Sequence, residues 1–142
     1  MKHLIILSLA VLSLTACGNR NNKKVADNAA TETTVQAVNS STVYVYYFHG
    51  KQRCKTCIAV EKITKETLDS LYSGNSSIVY TEVNTDDPAF SEITEKFQIS
   101  WSSLIISKGE EKIDLTDFAF ANALKSPELL KVELEKTLNN IL

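Results

Sequence analysis

Val43-Tyr44-Val45-Tyr46-Tyr47-Phe48-His49-Gly50-Lys51-Gln52-Arg53-Cys54-Lys55-Thr56-Cys57 decides how the rest of the chain is read. Val43 to Phe48 is an unbroken run of β-branched and aromatic residues, the composition of a buried strand. After it, Cys57, Val60, Ile63, Leu68 and Leu71 recur at spacings of three to five. This predicts an amphipathic helix from about Cys54 to Tyr72, ended near Gly74-Asn75. The Cys-x-x-Cys pair then lies at a strand-to-helix junction, with both sulfurs in the first helical turn. Orphan N–H groups and the helix dipole favour a thiolate there. Two thiols on one turn also close a small disulfide loop, so one attacks and the other resolves a mixed disulfide. Dithiol–disulfide chemistry is the expectation that follows.

Downstream, Ile78 to Val83 reads as a second strand, Asn84-Thr85-Asp86-Asp87-Pro88 as a turn, and Ala89 to Phe97 as a short helix burying Phe90, Ile93 and Phe97. Ser102-Ser103 leads into a third strand, Leu104-Ile105-Ile106. Lys108-Gly109-Glu110 is a hairpin turn before a fourth strand, Lys112 to Leu115. Ser126-Pro127-Glu128 starts a last helix, with Ser126 as N-cap and Leu130, Leu134, Leu138 and Ile141 on one stripe. The expected order is β-α-β-α-β-β-α, an α/β fold.

About one hundred residues, 42–142, suit one small domain with a single core. A net charge of -2, with no basic stripe interleaved with aromatics, gives no sign of a nucleic-acid partner. The front of the chain has another character. Met1-Lys2-His3 is a short basic lead, and Leu4 to Leu14 is an apolar run broken only by serines. It is shorter than the roughly 20 residues a membrane span needs, and residues 1–16 read as a secretory signal peptide. Leu14-Thr15-Ala16-Cys17-Gly18 is similar to the lipobox of bacterial lipoproteins. That resemblance implies cleavage before Cys17 and diacylation of Cys17; the alternative is an ordinary signal peptide with an incidental cysteine. It also implies an exported protein anchored to a membrane, on the periplasmic side in a Gram-negative cell. Residues 17–41 are rich in Asn, Thr, Ala, Ser and Lys, with no aromatic residue, the composition of a flexible tether.

Of three cysteines, lipidation of Cys17 leaves one pair in an oxidising compartment. So short a loop removes little chain entropy from the unfolded state, which weighs against a purely stabilising bridge. Cys54 is the expected attacking thiol, with Arg53 and Lys55 adding positive charge beside it, and Cys57 the resolving thiol. An inert, permanently oxidised bridge is the bland alternative. His49 is read either as a group that tunes the pair or carries its proton, or as a half-exposed strand end. Trp101 is read as a packed loop aromatic or as part of the surface beside the sulfurs.

The element order with the Cys motif after the first strand resembles thioredoxin across most of the domain. Val83-Asn84-Thr85-Asp86-Asp87-Pro88 through Lys96-Phe97-Gln98-Ile99 is similar to its second strand and following helix, and Ser102 to Glu110 to its third strand and hairpin. Tyr47-Phe48-His49 to Cys57 most resembles the thioredoxin-like family labelled the ArsF-type nitroreductase subunit, although nothing in the chain suggests a flavin or nitro-group site. The resemblance implies a central mixed four-stranded sheet with helices on both faces, and a dithiol that needs no organic cofactor. As partners it implies thiols or disulfides of exported proteins and a membrane redox partner that resets the pair. Three positions depart from the pattern. Ser102 or Ser103 stands where thioredoxins place a cis-proline, Tyr47 or Phe48 stands where they carry a buried acid, and Arg53 replaces the tryptophan before the first cysteine. Without that acid, His49 or water is left to take the proton of the second thiol. Without that proline, a thiophilic metal module using His49, Cys54 and Cys57 is a competing reading, for copper or zinc. A third is a non-catalytic adaptor on the same fold.

Overall fold

The computed structural model describes residues 41–142. The expected signal peptide, the lipid on Cys17 and the tether up to residue 40 lie outside the described residues. Strand β1 (Val43–His49) alternates between two cores: Val43, Val45 and Tyr47 face one, Phe48 faces the other with Tyr46 beside it. That two-sided burial is what its continuous apolar run requires. It is followed by helix α1 (Lys55–Tyr72) and strand β2 (Ile78–Asn84), which returns parallel to β1 with Val43 opposite Ile78 and His49 opposite Asn84. A 3-10 turn at Pro88–Phe90 runs into helix α2 (Ser91–Lys96), and strand β3 (Ser103–Lys108) then pairs antiparallel with β1. Gly109, at φ 59°, turns the chain into β4 (Glu111–Asp114), antiparallel to β3. The sheet order is β2-β1-β3-β4, a mixed four-stranded sheet as expected.

One element was not anticipated: helix α3 (Thr116–Asn122), before the final helix α4 (Pro127–Ile141). It has seven residues, buries only Thr116 and Ala119, and lacks a leucine stripe, so its periodicity is faint. The fourth strand correspondingly ends one residue early, and Leu115 becomes the N-cap residue of α3 and part of the core. Asp114 Oδ1 accepts the Thr116 N–H at 2.9 Å and fixes the turn. Ser126 does occupy the N-cap of α4, but its hydroxyl makes no capping bond; its carbonyl accepts the Leu129 N–H at 2.9 Å.

Packing explains the stripes. Helices α1, α3 and α4 cover one face, where Val60, Ile63, Leu68, Ala119, Leu130, Leu134, Leu138 and Ile141 meet Val45, Tyr47, Leu104 and Ile106. The other face is covered around α2, where Phe97 packs on Phe48, Val83 and Ile105, and Phe90 and Ile93 are only partly buried. Thr64 and Thr67 are buried within α1 because their hydroxyls donate to Val60 O and Ile63 O at 2.8 and 2.7 Å. Leu71, expected on the buried stripe, is 48% exposed; in that last turn it is Tyr72 that reaches α4, donating to Asn139 Oδ1 at 2.9 Å.

Candidate functional site

The chain leaves β1 at His49 and enters α1 at Lys55, so five residues carry it across the end of the sheet. The Thr85 N–H donates to His49 O at 2.8 Å, and the Lys51 N–H donates to Asp86 Oδ2 at 2.7 Å. The loop is therefore pinned from the end of β2. The space at Gly50 is tight: a Cβ on it would stand 3.2 Å from Asp86 Oδ2, so a larger residue would have to displace that carboxylate.

This anchoring delivers Cys54 to the N-cap of α1 rather than into its first turn. Its backbone is extended (φ -80°, ψ 165°), and its Sγ accepts the Cys57 N–H at 3.1 Å. A sulfur thus does what a serine or aspartate oxygen does at most N-caps. Cys54 is exposed and Cys57 buried; their Cα atoms are 5.0 Å apart and they are joined as a disulfide. When the pair is reduced, the same N–H and the helix dipole favour charge on Cys54, and a hydrogen bond to a charged group contributes about 1.5–3 kcal/mol. This arrangement fits thiol–disulfide exchange.

Beneath the cysteines lies a polar cluster. Tyr47 is fully buried, and its hydroxyl donates to Cys57 O at 2.7 Å. Its ring stacks on His49 at 5.8 Å and lies 5.7 Å below the Arg53 guanidinium. Burial raises the Tyr47 hydroxyl pKa, an effect that its interaction with Arg53 opposes. Arg53 pairs through Nη2 with Glu61 and through Nη1 with Glu82 Oε1 at 3.4 Å, while its buried Nε makes no hydrogen bond. Lys65 bridges the same two carboxylates, reaching Glu82 Oε2 at 2.9 Å. His49 has Nδ1 2.9 Å from Gly50 O and Nε2 2.9 Å from Glu82 Oε1, so an acceptor oxygen faces each ring nitrogen. The Lys65 hydrogen bond holds the Glu82 carboxyl below the usual range, and Lys65 and His49 add to this electrostatically. Burial and the Glu82 charge raise the nearby Tyr80 hydroxyl well above its ordinary value.

Arg53 and His49 are therefore brought together, through Glu82, and Lys55 stands apart on the exposed first turn. His49 is buried, 8% exposed, not half-exposed. Nor does it stand alone: Glu61 and Glu82 come to this cluster from α1 and β2, and Glu82 pairs with His49. The readable signals were the Glu61/Lys65 spacing of one helical turn and a carboxylate inside a strand rich in β-branched and aromatic residues. Among the described residues no group of three or more His, Cys, Asp or Glu side chains is arranged to hold a metal ion. His49, which the metal reading needs as third ligand, is already held by Gly50 and Glu82.

Ser103 opens β3 opposite Phe48, at the end of the sheet from which the Cys loop departs. Its hydroxyl donates to Trp101 O at 3.0 Å, and Ser102 adjoins it with the chain half-buried. Trp101 is 72% exposed and so is not a packed loop aromatic. A cleft of about 360 Å³ lies beside this loop, lined by Phe97, Trp101, Ser103, Lys112, Asp114 and Asp117 among others.

No protein-family model matches the sequence, and no curated protein matches it closely. Among solved structures, the chain is similar to one titled "Structure of a malarial protein", with 20% identity over 68% of this chain and 96% of that one, at a TM-score of 0.46. It is similar to Trxlp from Edwardsiella tarda EIB202 at 16% identity, covering 67% and 84% of the two chains, with a TM-score of 0.49. It is also similar to a thioredoxin from Trypanosoma brucei brucei at 16% identity, covering 82% and 92%, with a TM-score of 0.46. The mixed sheet β2-β1-β3-β4, with helices on both faces and the cysteine pair at the β1–α1 junction, is the α/β arrangement that the sequence resemblance to thioredoxin implied.

Proposed function

We propose that this protein is a thiol–disulfide oxidoreductase that acts on exported proteins and is held to a membrane by lipid on Cys17. One observation carries the chemical part: an exposed sulfur at a helix N-cap, bonded to a buried sulfur one turn on, with a backbone N–H directed at the exposed one. In the reductive direction the Cys54 thiolate attacks one sulfur of a substrate disulfide. That S–S bond breaks, a mixed disulfide forms, and the departing thiolate takes a proton. Cys57 then loses its proton and attacks Cys54 Sγ, releasing the second substrate thiolate and leaving the Cys54–Cys57 disulfide. Two electrons pass from protein to substrate; the oxidative direction is the reverse sequence. No organic cofactor takes part, because the dithiol is itself the redox group.

A cleft beside Trp101 and Ser103, at the end of the sheet from which the Cys loop departs, is the surface we assign to a bound polypeptide. Export and anchoring rest on the basic lead, the apolar run Leu4 to Leu14 and the lipobox-like residues Leu14 to Gly18. The chemical test is trapping: in Cys57→Ser the mixed disulfide through Cys54 has no resolving thiol, so partner proteins accumulate covalently under mildly oxidising conditions and are released by dithiothreitol. Absence of any reducible adduct in that variant, with Cys54 alkylatable, would contradict the mechanism. The anchoring test is mass spectrometry of the membrane fraction, where the mature protein begins at a diacylated Cys17, and Cys17→Ala releases it.

A further inference from the structure

Arg53 adjoins the exposed cysteine in the chain, and an unpaired guanidinium there would favour the Cys54 thiolate. Its side chain instead lies over Tyr47, between two carboxylates contributed by different elements, Glu61 of α1 and Glu82 of β2. We propose that Glu61 and Glu82 are positioning residues that set the acidity of Cys54, and through it the redox poise of the pair, by holding Arg53 in a charge-balanced cluster.

The charges facing one another decide the sign. From the loop comes Arg53; from α1 come Glu61 and Lys65; from β2 comes Glu82; from β1 comes the His49 ring. Two cations, Arg53 and Lys65, stand against two carboxylates, with the imidazole on the second carboxylate and the Tyr47 and Tyr80 hydroxyls as neutral neighbours. Lys51 and Lys55 are exposed, and Asp86 is taken by the Lys51 N–H. The cluster thus adds little net field at Cys54, whose thiolate depends on the Cys57 N–H and the helix terminus. Such a balance keeps the thiol less acidic, and the disulfide less oxidising, than Arg53 alone would make them. Glu61 is 15% exposed and Arg53 24%, so solvent screens their pairing only in part, whereas Glu82 at 35% and Lys65 at 42% are screened more strongly.

The test is the pH profile of alkylation of the reduced protein by iodoacetamide, with the label located on Cys54 by mass, in the wild type and in Glu82→Gln, Glu61→Gln, the double variant and Arg53→Gln. Removing one carboxylate charge raises the thiolate fraction on the acid side of the profile about threefold, and removing both raises it about tenfold. Arg53→Gln lowers it about threefold. At a pH above the Cys54 pKa in both proteins, that tenfold change in acidity converts to about 30 mV toward the oxidising side in the glutathione equilibrium. Glu82→Asp, which keeps the charge, returns the profile to that of the wild type. Coincident profiles in the Gln variants would overturn the proposal. So would a shift of Arg53→Gln in the same direction as Glu82→Gln, because loosened structure alone moves both one way. Should Glu82→Gln not fold, Glu61→Gln carries the same prediction. The redox consequence rests on the oxidoreductase reading, but the alkylation profile does not. A wild-type pair that never exchanges with glutathione defeats that reading, and shifted profiles would still support the cluster's role.

Discussion

Replacing Tyr47 by Phe separates the scaffold from the chemistry. The Tyr47 hydroxyl is buried and donates to Cys57 O at 2.7 Å, and the ring fills the core between the sheet and α1. Phe keeps the ring and leaves no large cavity. The loss is one buried hydrogen bond, about 1 kcal/mol net, since the Cys57 carbonyl is also within reach of its own helix. In a domain of about one hundred residues that corresponds to roughly 4–8 °C in Tm. The acceptor is a backbone oxygen and not a sulfur, so the loss is equal in the oxidised and reduced forms. Urea unfolding of both forms, wild type and Tyr47→Phe, reads the two differences directly. A decrease beyond about 3 kcal/mol, in the range of core truncation, or a decrease confined to one redox form, would refute the reasoning that this contact ties β1 to the first turn of α1 independently of the disulfide.

Gly50→Ala places a methyl group 3.2 Å from Asp86 Oδ2 and loosens the anchor at Lys51 N–H; the expected result is a loss of about 1 kcal/mol in thermal or urea unfolding, with the fold retained. Trp101→Ser leaves stability within about 0.5 kcal/mol, because the indole is 72% exposed, but raises KM for a protein disulfide while leaving the rate with a small aromatic disulfide unchanged. Acid has a defined sign. Glu82 has its folded-state pKa lowered by the Lys65 hydrogen bond, so between that value and the ordinary carboxylate pKa of about 4.3 the unfolded chain binds more protons. The stabilisation is fully present above that ordinary value and is lost as pH falls through the lowered one. A series of urea midpoints from pH 6 to pH 3 should therefore fall less steeply in Glu82→Gln than in the wild type.

The strands and long helices were legible because their signals are strong where burial is two-sided or continuous. Val43 to Phe48 is apolar on every position and becomes the central β1, and the stripe Leu130, Leu134, Leu138, Ile141 is buried throughout. Helix α3 was not legible, since its packing uses Ala119 and Thr116 and its start depends on the Asp114 carboxylate, a contact made two residues away by a turn. At the site, the cysteines, His49 and Arg53 could be picked out because they are contiguous. Their partners left only local signals, which do not say what they pair with. Glu82 reaches His49 only because β2 is parallel to β1 in a register that sets Glu82 opposite Tyr47, and Glu61 meets Arg53 because the Arg53 side chain reaches the second turn of α1. Charge that looks unpaired in a local stretch, as at Arg53, is compensated by residues that the fold brings in.

The most direct test of the central claim is a redox equilibrium on a domain spanning residues 31–142 against graded glutathione ratios, with Cys54 and Cys57 counted as free thiols by alkylation and mass. A single two-electron transition in which both thiols appear together is expected, its midpoint giving the direction of flow: near -270 mV for a reductase and near -120 mV for an oxidase. A pair that stays bridged at every ratio, or that alkylates only after a chelator is added, would contradict it.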